Sequence, residues 1–341
     1  RQPSLISSLR ASGYVIITGF YASPAAPTMP ASQLISAAIP DTLEAGQTLW
    51  VRRARGCAPA IVLAELLERR SAPLLVVVPT VTEAESLAAQ LHFFAPDESV
   101  NLFSDPETLF YDSFSPHQDL ISRRLEVLAR LLGPQPGITI IAVPTLFQKL
   151  PPTAYIRRHS LSVATGQTLD IAELQQNLSD NGYERVSQVS QHGEYAVRGS
   201  LIDLYPMGYE LPVRIDFFDR EIDSIRFFDP DTQLSGEKTQ RLDMLPAREF
   251  PTSPDAVRQF RSRFRERFEG NPGESLIYRE VSEQRYPGGI ENYLPLFFAE
   301  TQNFWDYLPE NCTVVTVGSA EPYLAETWSQ IEQRYEQCRH D

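Results

Sequence analysis

Pro212-Val-Arg-Ile-Asp-Phe-Phe-Asp-Arg-Glu-Ile-Asp-Ser-Ile-Arg-Phe-Phe-Asp229 alternates apolar and polar residues on either side of Asp219-Arg220. A period of two belongs to strands with one covered face and one open face, and the polar pair between the runs marks a turn. Upstream, Glu194-Tyr-Ala-Val-Arg-Gly-Ser-Leu-Ile-Asp-Leu204 repeats the pattern, and Pro206-Met-Gly208 separates it from the next run. Together the three runs predict an antiparallel meander of about three strands. A helix from Asp170 to about Gly182 precedes it.

Working outward, the period changes. Leu74-Leu-Val-Val-Val-Pro79 and Ile138-Thr-Ile-Ile-Ala-Val-Pro144 are short, continuously apolar, β-branched runs, as expected for strands covered on both faces. Between them, Thr80–Phe94 and Gln118–Leu132 repeat apolar residues at helical spacing, the second ending at Gly133-Pro134. Strand, helix, helix, strand predicts a mostly parallel sheet. Beyond the meander, Val257, Phe260, Phe264 and Phe268 line one side of a helix. Cys312–Val317 reads as a strand and Glu321–Arg339 as a last helix. This later α/β piece is expected to complete the first sheet. The fold class is therefore α/β, a parallel-sheet domain with an inserted α+β antiparallel meander domain. The expected divisions are 29–155, 156–245 and 246–341. Residues 1–28 hold two arginines, no acid and an apolar stretch broken by Thr18 and Gly19, a poor secretory signal. They are read as a disordered or non-native extension, with Met29 the natural start.

Composition excludes several function classes. The 341 residues carry 30 Lys and Arg against 44 Asp and Glu, a net charge of −14, which disfavours direct binding to a polyanion. With 42% hydrophobic and 10% aromatic residues the chain fills ordinary cores. Cys57, Cys312 and Cys338 are too scattered for a disulfide framework or metal knuckle. No apolar run approaches the roughly 18 residues that cross a bilayer. The chain reads as cytoplasmic, with no cofactor and no metal.

Only Lys149 and Lys238 are lysines. A phosphate-binding loop needs a glycine cradle, a lysine and a hydroxyl; Gln-Lys-Leu-Pro around Lys149 and Gly236-Glu-Lys-Thr239 supply none of these in the required order. Ser115, His117 and Asp119 lie close in sequence but without a nucleophile elbow, so a helix-capping or loop role is preferred to a triad. Asp216, Asp219, Glu221 and Asp223 bracket a turn, where acids bond locally. Arg258, Arg261, Arg263, Arg265 and Arg267 crowd one helix, whose buried side is aromatic and whose charge is diluted by Asp255, Glu266 and Glu269; a solvated face is preferred to a phosphate-binding one.

The meander carries the sharper signal. Val213, Ile215 and Phe217 share one face of their strand; Arg214, Asp216 and Phe218 share the other. With the trio inward, Phe218 is an exposed aromatic beside an arginine, the composition of a protein–protein hot spot. Periodicity leaves open whether Phe218 packs under a neighbouring element instead. On the adjacent run, Arg198 precedes Gly199, which leaves room for close approach.

Asp105-Pro-Glu-Thr-Leu-Phe-Tyr-Asp-Ser-Phe-Ser-Pro-His-Gln-Asp119, Gln191–Gly208 and Glu210–Asp229 closely resemble the N-terminal region of the bacterial transcription-repair coupling factors (Mfd), a UvrB-homology module. Leu75-Val-Val-Val-Pro-Thr80 with Leu87-Ala-Ala-Gln90 is similar to a helicase-type strand–helix segment without its ATP site. The resemblance implies a degenerate P-loop helicase-like fold and a non-catalytic role in nucleotide excision repair. UvrA is the partner it implies, bound through Arg198, Arg214 and Phe218. It also implies that the ATP-dependent DNA translocase motor and the RNA-polymerase-binding region lie C-terminal to this module. The alternative is a nucleotide-binding or nucleic-acid-binding helicase-like enzyme.

Overall fold

The computed structural model describes residues 14–18, 48–52, 54–69, 72–134 and 137–338. They form two compact units: one of residues up to Asp105 with Arg130–Gln148 and the chain from Asn303, the other of Pro106–Ala129 with Lys149–Gln302. The expected blocks 29–155, 156–245 and 246–341 do not coincide with these units.

The first unit holds a six-stranded parallel sheet. Its strands are β1 (Tyr14–Thr18), β2 (Thr48–Arg52), β3 (Leu74–Val78), β4 (Val100–Phe103), β5 (Ile138–Ala142) and, last in the chain, β14 (Thr313–Val317), in the order β2-β1-β14-β3-β5-β4. Every neighbouring pair is parallel. No residue of β3 is more than 3% exposed, because a strand covered on both faces has no position where a polar side chain reaches water. Thr80 caps the helix Val81–Phe94, its side chain accepting from the Glu83 amide at 3.2 Å. That helix places Ala84, Leu87, Ala88 and Leu91 in the same core as Val76, Ile140 and Val315. The late strand returns to the first sheet as expected, between β1 and β3. The segment read as an extension contributes Tyr14–Thr18 to that sheet as β1. Tyr-Val-Ile-Ile-Thr has the β-branched content that strands favour. The other residues of 1–28 lie outside those described.

The second unit holds two sheets. A short pair joins β6 (Leu161–Ala164) to β13 (Arg241–Met244), antiparallel. The larger sheet contains β7 (Glu184–Arg185), β8 (Glu194–Arg198), β9 (Leu201–Leu204), β10 (Val213–Phe218), β11 (Glu221–Phe228) and β12 (Ser235–Thr239), in the order β12-β11-β10-β9-β8-β7. The expected meander is thus larger than about three strands. The run from Glu194 to Leu204 folds back at Gly199-Ser200, where Gly199 adopts φ 63°, a left-handed conformation glycine takes without steric cost. β12, Ser-Gly-Glu-Lys-Thr, has no apolar period by which to be seen. Helix Ile171–Asp180 buries Leu174 and Leu178 and starts at Asp170, whose side chain accepts from Ala172 N. Ser179 Oγ and the Tyr195 hydroxyl, 2.9 Å apart, tie it to β8. Helix Pro254–Arg267 buries Val257, Phe260 and Phe264 as expected, with Phe260 4.8 Å from the Phe297 ring; Phe268, expected on the same side, instead caps the helix end and is exposed.

Candidate protein-docking face

On β10 the burial alternates without exception: Val213, Ile215 and Phe217 are buried, Arg214 and Asp216 half-buried, and Phe218 exposed. Phe218 is 78% exposed, so the choice left open by periodicity falls to solvent. It ends β10 opposite Glu221, and Asp219 makes the turn at φ 58°. Exposure alone does not single it out, since Phe93, Phe114 and Leu234 are also open. Its neighbours do.

Arg214 stands opposite Asp203 of β9 on one side and Arg226 of β11 on the other. Nε and Nη2 donate to the two carboxylate oxygens of Asp203 at 2.7 and 2.9 Å. Nη1 donates to Ser235 Oγ at 3.3 Å, and the guanidinium lies 4.9 Å above the Phe228 ring. The bonds that Arg214 donates to Asp203 hold its guanidinium more firmly charged than usual. Asp203 is only 2% exposed, so its charge is tolerated because the fork of Arg214 covers it. Two of the five guanidinium N–H groups remain to face outward. Arg214 is therefore an anchored cation whose plane is set by the fold.

Arg198 ends β8 opposite Leu201, on the same outer face. Its side chain is exposed, with Nη2 donating to the Ser187 carbonyl at 3.0 Å. Beside it, Val189, Ala196, Tyr205 and Phe228 form a small cluster with Val186, closing the part of the outer face that is apolar. Arg198, Arg214 and Phe218 thus lie on one face, on β8 and β10. Asp203, Phe228 and Arg226 complete the surroundings and were not foreseen. The signal for Asp203 was present: it interrupts Leu201-Ile-Asp-Leu204 at an outward position.

The other candidates resolve locally. Ser115 Oγ donates to Glu291 at 2.7 Å and accepts from Gly289 N, His117 Nδ1 accepts from Asp119 N, and Asp119 lies 2.7 Å from His192. These three residues brace a loop and a helix start. Burial pushes the Glu291 carboxyl up from its ordinary value. In the arginine-rich helix, Arg258 pairs with Asp255, Arg261 stacks over Tyr278 at 5.7 Å, and Arg263 donates to the Pro295, Phe298 and Ala299 carbonyls. Those groups are spent on the fold. Lys238 lies on the edge strand β12, and β3 is joined to its helix by Pro79-Thr80 alone, too short for a phosphate cradle. Among the described residues, no group of three or more His, Cys, Asp or Glu is placed to hold a metal, and no helix is long and apolar enough to cross a membrane.

Residues 161–250 match the family model described as the UvrB interaction domain, a span that contains β6 to β13 and all three docking candidates. The chain is 42% identical to the transcription-repair-coupling factor of Escherichia coli over 297 residues, 86% of this chain and 26% of that protein. The chain belongs to the transcription-repair-coupling factor family. The same name is carried by relatives in Haemophilus influenzae, 41% identical over 83% of this chain and 25% of the relative, and Bacillus subtilis, 26% identical over 76% and 23%. The chain therefore spans about a quarter of the length of the transcription-repair-coupling factors it matches.

Proposed function

We propose that this chain is the module through which a transcription-repair-coupling factor recruits the excision-repair protein UvrA, docking it in the manner of UvrB. The observation that carries the reading is Phe218, a large aromatic left 78% exposed on the outer face that Arg214 and Arg198 share, within the span matched to the UvrB interaction domain. Phe218 fills an apolar pocket on UvrA, while Arg198 and the outward edge of Arg214 meet carboxylates. Aromatic and arginine anchors at the centre of an interface typically carry its largest single losses on truncation. The module is an adaptor and catalyses nothing itself. ATP-driven movement on DNA, contact with RNA polymerase and work in the cytoplasm belong to the whole coupling factor, which this module connects to repair.

Calorimetric titration of UvrA into the wild-type chain and into Phe218→Ala tests the reading. Truncation is expected to cost at least about 2 kcal/mol, roughly thirtyfold in affinity. Equal affinity of the two would overturn the site, and binding or hydrolysis of ATP by the purified chain would favour the helicase-like enzyme.

A further inference from the structure

We infer that the docking face continues past Arg214 to the edge of the sheet as a cross-strand row, Arg214–Arg226–Lys238, that recognises a carboxylate-bearing protein surface, with Arg226 a specificity-determining contact. The inference rests on the UvrA reading above and deepens it by giving the chemistry of the partner's surface.

The row follows from register. Arg214 pairs with Arg226 across β10 and β11, and Arg226 with Lys238 across β11 and β12. Residues directly opposite in antiparallel strands share a face, and like charges so placed oppose pairing. Asp203, at the far end of the row, offsets one of the three cations through its double bond to Arg214. Among the described residues, the side chains of Arg226 and Lys238 form no ion pair and no hydrogen bond, their ladder bonds being backbone only. A lysine on an edge strand is a common guard against edge-to-edge pairing, which accounts for Lys238. It does not account for Arg226, which sits on an interior strand between two other cations. In a chain of net charge −14, three cations in register with one internal counter-ion are a local exception, resolved when an external anion completes the row.

The geometry also describes that anion. Adjacent strands lie about 4.8 Å apart, so Arg214 and Lys238 are separated by roughly 10 Å. A protein surface with at least two carboxylates at that spacing, next to an apolar pocket for Phe218, is complementary. Nucleic acid is a poorer fit. Asp216 and Glu221 lie on the same face beside Phe218, by their pairing with Ser224 and Phe218, and would repel a continuous phosphate backbone.

The test follows association of UvrA with the 341-residue chain over a range of salt, for wild type, Phe218→Ala, Arg226→Glu and Lys238→Glu, with thermal melts confirming each fold. Arg226→Glu and Lys238→Glu are each expected to slow association about tenfold at low salt and flatten its salt dependence, since surface charges act mainly on encounter. Phe218→Ala should instead speed dissociation. Should Arg226→Glu melt early, Lys238→Glu decides alone. If wild type binds and Phe218→Ala does not, yet both charge reversals associate as wild type, the row is overturned and the docking site stands. If wild type fails to bind UvrA, both fall. Binding of labelled duplex DNA by wild type at the same salt, lost in Arg226→Glu, would assign the row to nucleic acid and overturn the inference.

Discussion

β3 and β10 are short strands, one apolar throughout and one alternating, that put their apolar residues to different uses. Leu-Leu-Val-Val-Val of β3 is covered along its whole length, whereas Val-Arg-Ile-Asp-Phe-Phe of β10 buries every second residue and ends on an open phenylalanine. A parallel strand flanked by strands on both sides and layered by helices offers no free surface, so all its side chains contribute to stability. An antiparallel strand with one face free can spend half its residues on recognition. The parallel-sheet unit therefore uses both faces of its inner strands for packing, and the meander leaves one face of β10 partly open.

If that contrast holds, the largest effect should come from the closed strand region. Ile140→Ala on β5, fully buried in the first core, is expected to cost about 4 kcal/mol in urea unfolding, the usual range for a large core truncation, while leaving UvrA affinity unchanged. A comparable loss of affinity would break the division. Next comes Arg214→Ala, which joins the two categories. It strips the counter-ion from Asp203 and should cost about 3 kcal/mol of stability, in addition to weakening docking. Adding Asp203→Asn should restore part of the stability and none of the affinity. Phe218→Ala, by contrast, should change stability by no more than about 0.5 kcal/mol, which makes it the cleaner probe of docking.

The smallest effect is chemical. Burial pushes the Cys312 thiol, adjoining β14, up to about 12, so it stays protonated and shielded at pH 8. Cys57 is exposed. A disulfide-exchange reagent should label Cys57 in the native chain and reach Cys312 only after denaturant opens the parallel sheet. Native labelling of Cys312 would mean that this sheet is less closed than its burial implies.

Much of this was legible from pattern. Continuous apolar runs announced β3 and β5, and the 3.6-residue period announced the helices from Val81 and Pro254. Alternation assigned Val213, Ile215 and Phe217 to the core. The misses have physical causes. β12 is polar throughout, so no side-chain period reveals it. The Glu194–Leu204 run alternates straight through its turn, and only the left-handed Gly199 shows the break. Asp203 was visible as an acid in an apolar run, but a partner eleven residues away on the next strand was not.

Local sequence thus determined which residues face inward, because strand and helix periods are properties of a few consecutive residues. It also determined that no lysine stands where a phosphate loop needs one. Tertiary structure alone decided that Phe218 is left in solvent, that Arg214 is locked by a buried carboxylate, and that Arg226 and Lys238 fall into line with it. Those facts depend on strand register, which is set by where turns and bulges place distant residues opposite one another, and no local period encodes it.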